Sequence, residues 1–156
     1  PMRSPFHSWL RAECLLCRPG RSRFRLRLRR EFLQVQGVAQ GGILSAYADM
    51  AAIATAYPFL PEGETATSVE FKINFMAPVS KGYVTAEARA LRRGRRVLVS
   101  ECELRQGGTL VAKGIFTYLI YREEPRNVRA ASPSSGRSRT ARRRPRRGRA
   151  RRRSRG

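Results

Sequence analysis

Gln40-Gly41-Gly42 runs directly into Ile43-Leu44-Ser45-Ala46-Tyr47-Ala48-Asp49, and these are the residues whose types and spacing could do chemistry. A paired glycine opens an Ala-rich stretch whose only acid lies eight residues beyond Gly41. The start of a helix offers N–H groups without intrahelical acceptors and the positive end of the helix dipole. Both can hold a developing oxyanion. A lone carboxylate in an otherwise apolar helix is costly unless it has a partner or a task. Together the two features suggest acyl-transfer chemistry. A plainer reading is a Gly-Gly turn followed by a core helix whose Asp finds a hydrogen bond, and these residues alone leave both open.

The elements that must position them follow from periodicity. Ser4–Leu10 reads as a short amphipathic helical turn with Phe6, Trp9 and Leu10 packing inward. Arg23–Arg29 alternates strictly, which predicts a strand with Phe24, Leu26 and Leu28 on one face and a solvated row of Arg on the other. Gln34–Gln40 reads as loop. Gly42–Tyr57 is too Ala-rich for a strand and apolar on most sides, so a buried helix is expected, ended by Pro58 and Pro61. Four strands are predicted after it, over Thr67–Phe75, Tyr83–Leu91, Val97–Leu104 and Leu110–Tyr121. Arg92-Arg93-Gly94 and Gln106-Gly107-Gly108 are hairpin signals between the last three. The expected architecture is α+β: a five-stranded antiparallel sheet, the last four strands a meander, wrapped on one long helix.

Charge divides the chain in two. The formal net charge is +22, but residues 126–156 hold 14 Arg and no acid, leaving about +8 for residues 1–125. One domain over 1–125 and a disordered Arg-rich tail over 126–156 are therefore expected. Such a tail suits nonspecific electrostatic binding to nucleic acid or acidic membranes, or is an unselected extension; without stacking aromatics it is no sequence-reading module. Cys14-Leu15-Leu16-Cys17 has the spacing of a metal knuckle, but Cys102 is the only other cysteine and His7 the only histidine. A closed four-ligand zinc site is out of reach, and a core-facing segment fits better. No signal peptide is evident and no apolar run approaches the roughly 20 residues that span a bilayer, so the cytoplasm is the expected compartment.

Four pieces in order carry a resemblance: the G-V-A-Q-G-G-I-L-S-A-Y-A-D run, the T-S-V-E-F-K-I-N-F-M-A-P strand, the L-R-R-G-R-R hairpin and the closing A-K-G-I-F-T-Y strand. They resemble the hotdog fold, and within it the acyl-CoA thioesterases of the phenylacetate-degradation type, over roughly Pro5 to Tyr121. The resemblance implies hydrolysis of a thioester to free acid and coenzyme A without a metal or redox cofactor. It assigns Asp49 as general base or nucleophile, and Gly41 as the residue whose N–H polarises the thioester carbonyl. Gln34 falls where a side-chain amide orients the carboxylate or water, and Ser68 (Thr67 in another register) where a hydroxyl assists. Many members carry His-Gly-Gly where this chain has Gln40-Gly41-Gly42. The phosphates of coenzyme A call for a basic rim, for which Arg93, Arg95 and Arg96 are candidates, although ordinary turn charge reads equally well. Tyr47, Met50, Ile53, Tyr57 and Phe75 could line an acyl pocket or simply be core.

Eight helical residues separate Gly41 from Asp49 by about 12 Å. A reacting carbonyl must lie roughly 3 Å from both the oxyanion donor and the attacking group. One helix cannot bring them together, whereas two antiparallel copies about a twofold axis can. At least a homodimer with composite sites is therefore expected, and the resemblance implies the same pairing of subunits, often with further association to a homotetramer. A hotdog dehydratase would need a histidine paired with a carboxylate, and His7 is poorly placed for it. A noncatalytic acyl-CoA-binding protein, its tail on nucleic acid, is the alternative.

Overall fold

Alternation decides which side of each strand meets the helix, and in the computed structural model, which describes residues 4–122, it does so most cleanly in the second strand. We label the elements α1 (Pro5–Leu10), β1 (Glu13–Arg18), β2 (Arg21–Arg27), α2 (Gly41–Ile53), β3 (Glu64–Phe75), β4 (Tyr83–Arg93), β5 (Val97–Gln106) and β6 (Thr109–Arg122). In β2, Ser22, Phe24 and Leu26 are buried while Arg21, Arg23, Arg25 and Arg27 are exposed. β5 and β6 repeat the pattern, burying Leu98, Ser100, Cys102 and Leu104, and Phe116, Tyr118 and Ile120. These side chains close over α2, whose Leu44, Tyr47, Ala48, Met50, Ala51 and Ala52 complete one core. The expected Arg-rich tail, 126–156, lies outside the described residues.

All ladders are antiparallel and the order is β1-β2-β4-β5-β6-β3. The sheet thus has six strands rather than the expected five. β1 escapes sequence reading because Glu13–Arg18 is exposed throughout and does not alternate. Cys14 and Cys17 are exposed rather than buried, although both pair with β2 residues of the α2-facing side. The meander expected of the last four strands holds only for β4, β5 and β6. β3 pairs with β6 at the far edge, and β2 takes the place beside β4. Gly114 makes that edge pairing possible: a Cβ there would lie 2.8 Å from the Lys72 carbonyl oxygen and 2.9 Å from the Phe116 ring. Beside it, Phe71 stacks on Phe116 with centroids 5.4 Å apart.

α2 is shorter than expected, ending at Ile53 rather than running to Tyr57. Neither proline ends it. Side chains from the sheet take its last carbonyls first: Ser22 Oγ donates to Ala51 at 2.6 Å and Cys17 Sγ to Ala54 at 3.4 Å. Thr55 Oγ1 donates to Ala52 at 2.8 Å and pairs with the buried Ser100 hydroxyl at 2.9 Å. Orphan carbonyls at a buried helix end need such partners, and the chain then turns through a 3-10 segment at Tyr57–Phe59. α1 also departs from expectation. Leu10 is fully buried, but Phe6 and Trp9 remain 41% and 44% exposed, with Trp9 edge-on to Phe32.

Candidate active site

α2 turns Asp49 toward the β6–β3 edge, where two hydroxyls meet it. Tyr118 donates to Asp49 Oδ1 at 2.9 Å, with the Asp49 carbonyl oxygen also in reach at 3.1 Å. Ser68 Oγ lies 3.0 Å from both carboxylate oxygens. Ser68 and Tyr118 are direct cross-strand partners, so the ladder delivers the pair as a unit. The register slips between Ser68 and Glu70, making Val69 an extra residue in β3. A β-bulge re-aims neighbouring side chains, and here it lies beside the one carboxylate of α2. Thr67 pairs with Leu119 and is absent from the Asp49 contacts, so Ser68 is the hydroxyl of this strand that reaches the carboxylate.

Tyr118 is the residue that sequence reading missed. The signal was present: it occupies the buried face of β6 with Ala112, Gly114, Phe116 and Ile120. A buried phenol needs a hydrogen-bond partner, and Asp49 is the only acid on the helix beneath. Burial, reinforced by the Asp49 carboxylate, pushes the Tyr118 phenol far above its ordinary value of 10. It therefore stays a donor at any working pH. Tyr57 is raised by burial and then by Asp49, so its hydroxyl also feels that charge.

Tyr47 is not a pocket residue. Its hydroxyl donates to Val84 O at 3.0 Å and accepts from Ala86 N at 3.1 Å, and burial raises it strongly too. The raised phenols set a pH dependence of stability. Below pH 10 folded and unfolded states both hold these protons, and nothing is gained or lost. Above pH 10 the unfolded state releases protons that the native state keeps, so stability falls as pH rises. The expected loss is up to about 1.4 kcal/mol per pH unit for each of Tyr47 and Tyr118. Urea midpoints at pH 9 and 11 check this, and Tyr118→Phe is expected to lessen the drop.

The other half of the expected chemistry lies at the opposite end of α2. Gln40 is the N-cap, its side-chain oxygen accepting from the N–H groups of Gly42 and Ile43. That leaves the Gly41 N–H, the first of the helix, without an acceptor among the described residues. Gly41 faces the half-exposed Phe75 ring in a cleft of about 350 Å³ that also takes in Leu44, Met76 and Pro78. Met50 and Tyr57, by contrast, line an apolar cavity of about 670 Å³ on the β1 side of α2. Ile53 packs against the core.

Gln34 is not brought to Asp49 within the chain. Its side-chain oxygen lies 3.5 Å from the Gln36 N–H of its own loop. Arg93 lies over the Phe59 ring at 4.6 Å and donates to the Phe59 carbonyl at 3.1 Å, while Arg95 and Arg96 are exposed in the β4–β5 turn. Among the described residues no helix is long and apolar enough to cross a membrane.

Known proteins resemble this chain in sequence and in fold. The profile described as Thioesterase superfamily matches residues 36–113, which include Gly41, Asp49 and Ser68. A Saccharolobus solfataricus protein named "Putative esterase SSO2140" is 35% identical over 104 residues, 66% of this chain and 74% of that one. Among solved structures, conserved protein PA5202 of Pseudomonas aeruginosa superposes with a TM-score of 0.74 at 31% identity, over 77% of this chain and 96% of that one. A mutant of the phenylacetic acid degradation protein PaaI of Thermus thermophilus gives 0.69 at 27% identity, over 74% and 98%.

Proposed function

The chain belongs to the thioesterase superfamily and has its hotdog fold, and from that premise we propose that it hydrolyses acyl-CoA thioesters at two equivalent sites shared between the subunits of a homodimer. The observation that carries this reading is the division of labour along α2. One end holds a carboxylate oriented by Tyr118 and Ser68, and the other end holds an N–H with no acceptor among the described residues. Polarisation of the thioester carbonyl by the Gly41 N–H of one subunit and attack by water at Asp49 of the other completes the reaction. The thiolate of coenzyme A leaves without strong acid catalysis, which suits a site built without histidine.

The edge strand supports this pairing. β3 carries Ser68 beside Asp49 and Phe75 beside Gly41, and this edge strand and the residue after it leave Val69, Phe71, Phe75 and Met76 at 62, 48, 50 and 53% exposure. Such an edge is a template for strand addition. Antiparallel pairing of two β3 strands about a twofold near Phe71 and Lys72 sets Ser68 of one copy across from Phe75 of the other. Asp49 then faces the partner subunit's Gly41. Arg95 and Arg96, exposed at the hairpin, are the residues we assign to the phosphates of coenzyme A, and Gln34 to orienting the attacking water once the second copy is in place.

A screen of short, medium, long and aromatic acyl-CoAs, followed with a thiol-detecting dye, tests the reaction; absence of thiol release from every member overturns it. Within an active enzyme, Tyr118→Phe is expected to lower kcat about tenfold with little change in KM. A hydrogen bond to a charged group is worth about 1.5–3 kcal/mol, and Ser68 still holds the carboxylate, which puts the loss at the low end. Steady-state kinetics on the preferred substrate checks it.

A further inference from the structure

Cys14 and Cys17 are three residues apart, and in a straight strand that spacing points side chains to opposite faces. β1 is not straight. Its register against β2 slips between Cys14 and Leu16, so that Cys14 pairs with Phe24 and Cys17 with Ser22. Phe24 and Ser22 both face α2. The extra residue, Leu15, thus returns both thiols to one side, where they line the 670 Å³ apolar cavity together with Phe24, Met50 and Tyr57. Both cysteines are accessible, whereas Cys102 is fully buried.

We propose that Cys14 and Cys17 form a two-thiol modification site in the wall of this cavity, taking a soft, neutral thiophile that bridges both sulfurs, the class represented by trivalent organoarsenicals. The donor set favours this over a tetrahedral metal. His7 lines the same cavity, but its Nδ1 is 3.0 Å from Ser4 Oγ, and among the described residues no three His, Cys, Asp or Glu side chains gather closely enough to hold an ion. Burial and the neighbouring Cys14 raise the Cys17 thiol, so reagents needing one thiolate react slowly there, while a bridging reagent gains from holding two sulfurs at once. With phenylarsine oxide, two S–As bonds form, both thiol protons leave with the oxide oxygen as one water, and arsenic stays trivalent.

The cavity adjoins the candidate site through Met50, next to Asp49 in the chain, and Tyr57, which feels the Asp49 charge. Resting on the hydrolase reading, with this cavity taking the far end of a long acyl group, the bridged pair obstructs that group. Each methylene kept out of an apolar cavity forfeits about a fourfold gain in affinity.

The reduced full-length protein is titrated with phenylarsine oxide and followed by intact mass. One adduct per chain is expected that survives excess monothiol, is stripped by a dithiol, and maps to residues 14–17 on fragmentation. Cys14→Ser and Cys17→Ser should each lose that resistance, and Cys102→Ala should keep it. Labile adducts, or resistance unchanged in both single Ser variants, overturn the site. In the loaded protein, hydrolysis of the longest accepted acyl-CoA should fall at least about tenfold more than that of the shortest, the loss of two methylenes or so; equal effects, or none, overturn the link to the acyl cavity. An unmodified protein that hydrolyses nothing overturns the hydrolase reading instead, and leaves the thiol adduct standing on its own measurement.

Discussion

Asp49→Asn is expected to reduce kcat on the preferred acyl-CoA by about 10²–10⁴-fold, the range for loss of a positioned general base. The substitution is close to isosteric, and the amide oxygen can still accept from Tyr118 and Ser68, which hold the native carboxylate at 2.9 and 3.0 Å. Fold and assembly should therefore survive, as circular dichroism and gel filtration would show. What disappears is the basicity, which matters only as the transition state forms, so KM should move little. Thiol release under saturating substrate measures the loss. Activity within a few-fold of the unsubstituted protein would show that hydrolysis does not pass through this carboxylate, and the noncatalytic acyl-CoA-binding alternative would gain.

Gly41→Pro should cost about 10²–10³-fold in kcat, the loss typical of one oxyanion-hole donor. Proline is well suited to the first position of a helix, where the N–H has no intrahelical role. Gln40 already sits at φ −67° and ψ 130°, the extended region that a residue before proline requires. The variant thus deletes a donor without breaking α2. Gly41→Ala is the control: it keeps the N–H, and its Cβ would meet only the half-exposed Phe75 ring, at 3.3 Å. Most of the activity should remain.

The pair of inactive variants also tests the shared site. Coexpressed Asp49→Asn and Gly41→Pro chains form heterodimers in which one of two sites draws both intact residues from different subunits. With random assembly about a quarter of the unsubstituted activity should return. Sites contained within one chain would return none.

Much of this was legible along the chain because it is local. Strict alternation in Arg23–Arg29 told which face of β2 is buried, and the Ala-rich run after Gly41-Gly42 told of a core helix with one acid. The helical rise of about 1.5 Å per residue already separated Gly41 from Asp49. Other features depend on partners far away in sequence. β1 is a strand because β2 folds back on it, and its own six exposed residues carry no period to announce that. α2 stops at Ile53 because Ser22, Thr55 and Cys17 take its last carbonyls, not because a proline follows.

Side-chain identity and spacing by themselves determined the helix, its single acid, its open N-terminal amide and the separation between the two. Tertiary structure alone decided that β3 lies at the sheet edge, that Tyr118 and not only Ser68 holds Asp49, and that a bulge turns Cys14 and Cys17 onto one cavity. The physical reason is range. Periodicity and capping act within a few residues, whereas ladder register and edge position are set by which distant strands bury one another's faces, and a slip of a single residue reverses where every side chain points.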